Sequence, residues 1–188
     1  MPKITEPTVS QHRAVQHKAV LDAAERLIVA SGGTVPSVSE VAAEVGLARP
    51  SVYAYITSKE DLLIQLLLKV IPQWLEELED ALAKNSAPTR PSVITYVDVT
   101  LDLFLHGSHG PLMIAAGNFP QAFADPRVQE AHDAIEPARQ RLIGGSAIAF
   151  SLIDAAIARG SELIGQSPES KDEVVDNLHA MAKGVFAL

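Results

Sequence analysis

Residues 36–63 read PSVSEVAAEVGLARPSVYAYITSKEDLL, and this stretch decides the fold. Ser37-Val38-Ser39-Glu40 has the spacing of a capping box. In it the serine hydroxyl accepts from a free amide of the first helical turn, and the glutamate reaches back to the serine amide. Val38, Val41, Ala42 and Val45 follow at three- and four-residue spacing as one apolar stripe, and Gly46 stops the helix. Ala48 to Ile56 resumes the pattern with Val52 and Ile56 four apart, and Pro50 falls in the first turn, where its missing amide costs little. Two short helices joined by Gly46-Leu47-Ala48 spell a helix-turn-helix, with glycine giving the corner its backbone freedom. Ser58 then caps a further helix that carries Glu60 and Asp61 in its first turn.

Helical periodicity continues on both sides. Upstream, Val20, Ala24, Leu27 and Ile28 place a helix over 11–31, closed by Gly32-Gly33. Downstream, Leu62, Leu63, Leu66, Leu67, Val70 and Trp74 carry the capped helix to about Lys84, with Pro72 expected to kink it. Asn85 to Pro91 reads as a loop. Residues 92–106 fit both a strand alternation and a helical stripe, and helix is chosen because 15 residues is long for a strand and no partner strand is evident. Glycines and prolines break residues 107–124 into short pieces. A helix over 125–143 is expected to kink at Pro137, and helices over 146–165 and 170–186 follow, the last opened by a second capping box at Ser170 to Glu173. The fold class is therefore all-α with about eight or nine helices. An arm (1–10), a helix-turn-helix domain (11–60) and a second helical domain (61–188) divide the chain.

Composition narrows the function. The chain has 188 residues, 47% hydrophobic and 20% charged, enough for a substantial core. Its lack of cysteine excludes disulfides, thiolate zinc sites and cysteine nucleophiles. Residues 1–60 hold six basic and six acidic side chains, and residues 61–188 hold nine and seventeen, so the whole net charge of −8 belongs to the second part. A neutral first part relies on a few cations for any contact with nucleic acid. MPKITEPTVS lacks the apolar core of a signal peptide, and the most apolar run, 142–158, is short and carries Asp154; neither fits a membrane, so a cytoplasmic location is expected.

With Val52 and Ile56 turned inward, the outer face of the third helix offers Arg49, Pro50, Ser51 and Ala54, flanked by Tyr53 and Tyr55. Arginine donates twice to guanine, serine donates or accepts, and the small residues let a helix approach thymine methyls in a major groove. The tyrosines and Lys59 lie at the edges, where phosphates run.

The span from about Lys18 to Leu68, with VLDAAERLIVASGG ahead of the quoted stretch, resembles the tetracycline-repressor-like (TetR) family of bacterial transcriptional regulators. Ser37, Val41-Ala42, Gly46-Leu47, Tyr53, Tyr55-Ile56 and Lys59 carry the resemblance in order. Ala48 stands where the family usually has a capping hydroxyl, and Ile56 where phenylalanine is common. The resemblance implies that Ser37, Ser39 and the tyrosines touch phosphate or groove edge, and that residues 49–51 and 54 read bases of a double-stranded operator.

It also implies a C-terminal helical domain holding a small-molecule effector and a homodimer formed through the last two helices. The mixture of small and large apolar residues over 146–165 suits close helix approach. Trp74, Tyr96, Phe104, Met113, Asn118, Phe119 and Phe123 are the candidate ligand contacts. Asp102, His106 and His109 have helical metal spacing, but Gly107 and Gly110 interrupt the helix, so no metal, cofactor or catalytic residue is expected. The rival readings are a metal-dependent helical enzyme and a helical dimeric binding protein without DNA binding. Against the enzyme, the chain contains no Glu-x-x-His pair and no glycine-rich phosphate loop.

Overall fold

The computed structural model describes residues 9–84 and 93–186, so most of the expected arm and the loop at 85–91 lie outside the described residues. Eleven α-helices and one 3-10 turn make up the described secondary structure. The first four are α1 (Val9–Ala30), α2 (Val38–Val45), α3 (Arg49–Val52) and α4 (Lys59–Lys84). Then come α5 (Val93–His106), α6 (His109–Gly117), α7 (Pro120–Phe123), α8 (Pro126–Asp133) and α9 (Ile135–Leu142). After α10 (Ala147–Gln166), a 3-10 turn at Pro168–Ser170 leads into α11 (Lys171–Phe186).

Local chemistry explains the helix ends. Both halves of the Ser37 box are formed: the Glu40 amide donates to Ser37 Oγ at 3.3 Å, and the Ser37 amide donates to Glu40 Oε2 at 2.7 Å. That amide, then the serine hydroxyl, holds the Glu40 carboxyl below its ordinary range. Ser37→Ala is expected to destabilise the protein by about 1 kcal/mol, read from urea unfolding. Gly46, at φ +67°, closes α2 by donating to the carbonyls of Ala42 and Ala43. Ser58 Oγ accepts from the Asp61 amide at the start of α4.

Four expectations change. The helix count exceeds eight or nine because 107–123 resolves into α6 and α7, and 126–142 into α8 and α9. The second break falls at Ala134, ahead of Pro137, which sits in the first turn of α9 where its missing amide is harmless. The third helix starts on schedule, without a side-chain cap from Ala48, but keeps only one turn, Arg49–Val52; the amides of Tyr55 and Ile56 still bond back to Val52. Ser170 does not open a capping box, because the 3-10 turn leads directly into α11 and its hydroxyl donates to the Ser167 carbonyl. Residues 93–106 are helical, and α4 runs on through Pro72.

One apolar core runs the length of the molecule. At the N-terminal end Val20, Ala24 and Ile28 of α1 meet Val41, Ala42, Val52, Ile56 and the first turns of α4, all in the same buried cluster. At the other end Leu78, Tyr96, Val97, Leu101, Phe150, Ile153 and Ile157 continue it. α4 belongs to both ends. Lys69 fixes α4 to α1, donating to Asp22 at 2.5 Å and Glu25 at 2.7 Å.

Candidate functional site

Burying Val52 and Ile56 completely turns the rest of the α3 region toward solvent, and Ser39, Arg49, Pro50, Ser51, Tyr53, Ala54 and Lys59 are all exposed. Ser37 and Tyr55 are half-buried. Of the nine predicted residues, seven are thus exposed and two half-buried. Arg49 Nη2 donates to the Tyr53 hydroxyl at 3.0 Å, with the guanidinium 5.6 Å from the ring centre. Both side chains thus share one solvent-facing face, four residues apart.

Tyr55 is placed differently. Its hydroxyl donates to Gln16 Oε1 at 2.8 Å and its ring stacks on His17, so it packs against α1. Lys59 Nζ donates to the Val35 carbonyl at 2.8 Å, fixing the loop between α1 and α2. Arg13, which sequence reasoning left out of the interface, reaches from α1 to the Ala54 carbonyl at 3.4 Å. Only its place near the start of α1 could have pointed to it.

A second site lies in the C-terminal half. Trp74, Phe104, Met113 and Phe123 line a cavity of about 200 Å³ together with Ile71, Thr100, His109, His132, Ile135, Arg139, Asp154 and Ala158. Four of the seven predicted ligand residues thus converge. Tyr96 lies outside the lining set and is joined to it through hydrogen bonds. Asn118 and Phe119 do not line the cavity: Asn118 is exposed and donates to the Ile114 carbonyl, and Phe119 packs on the core.

The wall is polar in one place. Arg139, 5% exposed, donates to Asp154 at 2.5 Å, to the Tyr96 hydroxyl at 3.1 Å and to Glu136 at 3.0 Å, and lies over the Phe150 ring. Burial, then the Asp154 charge, pushes the Tyr96 phenol far up, so it stays a neutral donor. Trp74 Nε1, Thr100 Oγ1 and Arg139 Nε are buried without a hydrogen-bond partner among the described residues. All three residues belong to the cavity wall.

Asp102, His106 and His109 form no metal-holding cluster among the described residues. His106 is exposed and bonds to Asp102, while His109 stacks on Trp74 at 5.5 Å and meets Phe104 edge-on at 4.5 Å. Burial, then the neighbouring His132, lowers the His109 pKa to about 4. Its folded value lies below the ordinary 6.5, so the unfolded chain binds the proton first as pH falls. The protein is therefore expected to lose about 2–3 kcal/mol of stability between pH 6.5 and 4, a slope that His109→Phe removes in urea unfolding across that range.

α6 connects the two sites. It contributes His109 and Met113 to the cavity, while its Ile114 and Pro111 abut Gly33 beyond α1. At Gly33, φ +115°, a Cβ would lie 2.6 Å from Ile114 Cγ2 and 3.0 Å from the Pro111 carbonyl, so only glycine allows this approach.

α10 and α11 leave an apolar strip uncovered. Ile148 is 73% and Leu152 56% exposed, and Leu163, Met181 and Val185 extend the strip. No helix among the described residues is long and apolar enough to cross a membrane.

Residues 20–66 match the model of bacterial regulatory proteins of the tetR family. A fatty acid metabolism regulator protein of Bacillus subtilis is 29% identical over 94 residues, 50% of this chain and 47% of that protein, so the chain spans about half the length of this curated relative. Among solved structures, the TetR-like regulator LfrR of Mycobacterium smegmatis, in complex with proflavine, superposes with a TM-score of 0.61 at 24% identity, over 90% of this chain and 94% of that one. The fatty acid degradation regulator FadR of Bacillus halodurans gives 0.62 at 15% identity over the same shares. The N-terminal helices thus match the model of tetR-family regulatory proteins over residues 20–66, and the all-helical fold around them is similar to that of LfrR and FadR.

Proposed function

We propose that the protein is a cytoplasmic, ligand-responsive transcriptional repressor and not an enzyme, binding a palindromic double-stranded operator as a homodimer. In this reading residues 11–60 form the DNA reader and 61–188 the ligand and dimer domain. The observation that carries it is the outward face of the α3 region, where Arg49, Pro50, Ser51 and Ala54 stand exposed while Val52 and Ile56 are buried behind them. Arg49 and Ser51 supply base-edge donors, Tyr53 and Lys59 are exposed close to them in the chain, and the exposed Ser39 at the start of α2 offers its hydroxyl to phosphate. Tyr55 acts by holding α3 on α1, its hydroxyl being already engaged.

The strip on α10 and α11 supports the dimer, since two copies related by a twofold axis cover each other's Ile148 and Leu152. Leu152→Glu is expected to shift the protein to monomer at micromolar concentration in analytical ultracentrifugation, and to weaken operator binding with it. A dimer places two α3 helices about 34–36 Å apart, one DNA turn. A ligand that prefers a different arrangement of α6 and α4 lowers DNA affinity by the difference in its affinity for the two states. Mobility-shift assays on the region upstream of the gene test the reading. A salt-sensitive, sequence-selective shift supports it, and uniform binding to any duplex counts against it.

A further inference from the structure

Resting on the ligand-responsive reading above, the chemistry of the cavity narrows what fills it. A dry cavity of about 150 Å³ lined by aliphatic and aromatic side chains holds one benzene molecule. The cavity here is about 200 Å³, room for a single ring with a short substituent. Its walls are flat: the Trp74 indole and His109 imidazole lie 20° from parallel, and Phe104 stands at 71° to the imidazole. These rings pack on one another, and an aromatic guest would extend the same set by stacking or edge-on contact.

The unpartnered polar atoms define the rest. Trp74 Nε1 and Arg139 Nε donate only, and the Thr100 hydroxyl does either, so all three unpartnered atoms of these wall residues can donate to a guest's acceptor. The Arg139 charge is already answered by two carboxylates, Asp154 and Glu136. An anionic guest brings a third negative group to that end of the cavity. A cationic guest meets an Asp154 that already receives from Tyr96 and from Arg139, whose own positive charge stands beside it. The remaining class is a neutral acceptor.

We infer that the cavity binds a small neutral aromatic molecule, about eight to ten non-hydrogen atoms, whose carbonyl or similar oxygen accepts from Trp74, Thr100 or Arg139. The test uses the full-length protein and four probes of matched size: acetophenone, ethylbenzene, benzoate and benzylammonium. Trp74 is the single tryptophan of the chain, so its fluorescence reports occupancy directly.

Acetophenone is expected to quench Trp74 saturably and to bind about tenfold more tightly than each of the other three. In calorimetry Trp74→Phe and Thr100→Val lower acetophenone affinity while leaving that of ethylbenzene unchanged. Tightest binding by benzoate or benzylammonium overturns the inference in favour of a charged ligand. Equal binding of acetophenone and ethylbenzene removes the role of the unpartnered donors, and no saturable binding by any probe overturns it outright. Operator binding is measured on the same preparation. Loss of probe binding with DNA binding intact rejects the ligand class alone, whereas probe binding without DNA binding rejects the regulator reading and leaves the cavity assignment standing.

Discussion

Arg49→Ala is expected to lower operator affinity by about 2–6 kcal/mol, a factor of 30 or more, with little change in thermal stability. One bidentate contact from arginine to a base pair contributes roughly 1–3 kcal/mol of discrimination, and a symmetric dimer makes it twice. Arg49 is exposed and donates to the Tyr53 hydroxyl, itself on an exposed side chain, so its removal takes nothing from the core and the fold shifts by less than about 0.5 kcal/mol. Tyr53→Phe separates two effects. It removes the hydroxyl that holds the guanidinium at 3.0 Å in the free protein and leaves the ring beneath it. If Arg49 reads a base, affinity for scrambled DNA changes much less than affinity for the operator. Fluorescence anisotropy with both duplexes, beside thermal melts of each variant, decides the matter. An equal loss on both would make Arg49 a phosphate contact.

Asp154→Ala is the second large effect, and it falls on stability. Asp154 is the carboxylate by which α10 holds Arg139 of α9 and Tyr96 of α5, so three helices share one buried charge. Removing one partner of a buried pair costs about 3–5 kcal/mol, because the other charge stays buried without compensation. Glu136 remains on Arg139 and the Asp154 side chain is 33% exposed, which places the expected loss near the low end, about 3 kcal/mol. In a protein of this size that lowers Tm by roughly 6–12 °C, measured at fixed protein concentration because the proposed dimer would add to stability. Asp154→Asn keeps an acceptor for Tyr96 and is expected to lose less. A loss below 1 kcal/mol for the alanine variant would mean that the charge cluster does not hold these helices together.

What was legible in the sequence follows from the range of the forces involved. Ser37, Glu40, Gly46 and Ser58 act within four residues of their own position, so the helix-turn-helix and the start of α4 could be placed from spacing alone. The exposed set on α3 followed, because burying Val52 and Ile56 fixes the opposite face. The partners of Tyr55 and Lys59 could not be foreseen, since Gln16 and Val35 come from other elements. In the cavity, Trp74, Phe104, Met113 and Phe123 announced themselves as large apolar side chains, whereas Arg139, Thr100 and His132 look like solvent-facing residues of short amphipathic helices. Asp154 was the available clue: a carboxylate inside the most apolar run of the chain requires a cationic partner, and Arg139 is that partner. His109 drew notice for a metal and serves as part of an aromatic wall.

The central claim is that this fold reads DNA sequence as a symmetric dimer. Selection of bound duplexes from a random library by the full-length protein, followed by hydroxyl-radical footprinting on the winners, tests it most directly. The account predicts an enriched palindrome with half-site centres about 10–10.5 base pairs apart, or a multiple of that turn, and loss of the enrichment in Arg49→Ala. A pool that stays random after repeated rounds, with the protein correctly folded, would contradict it.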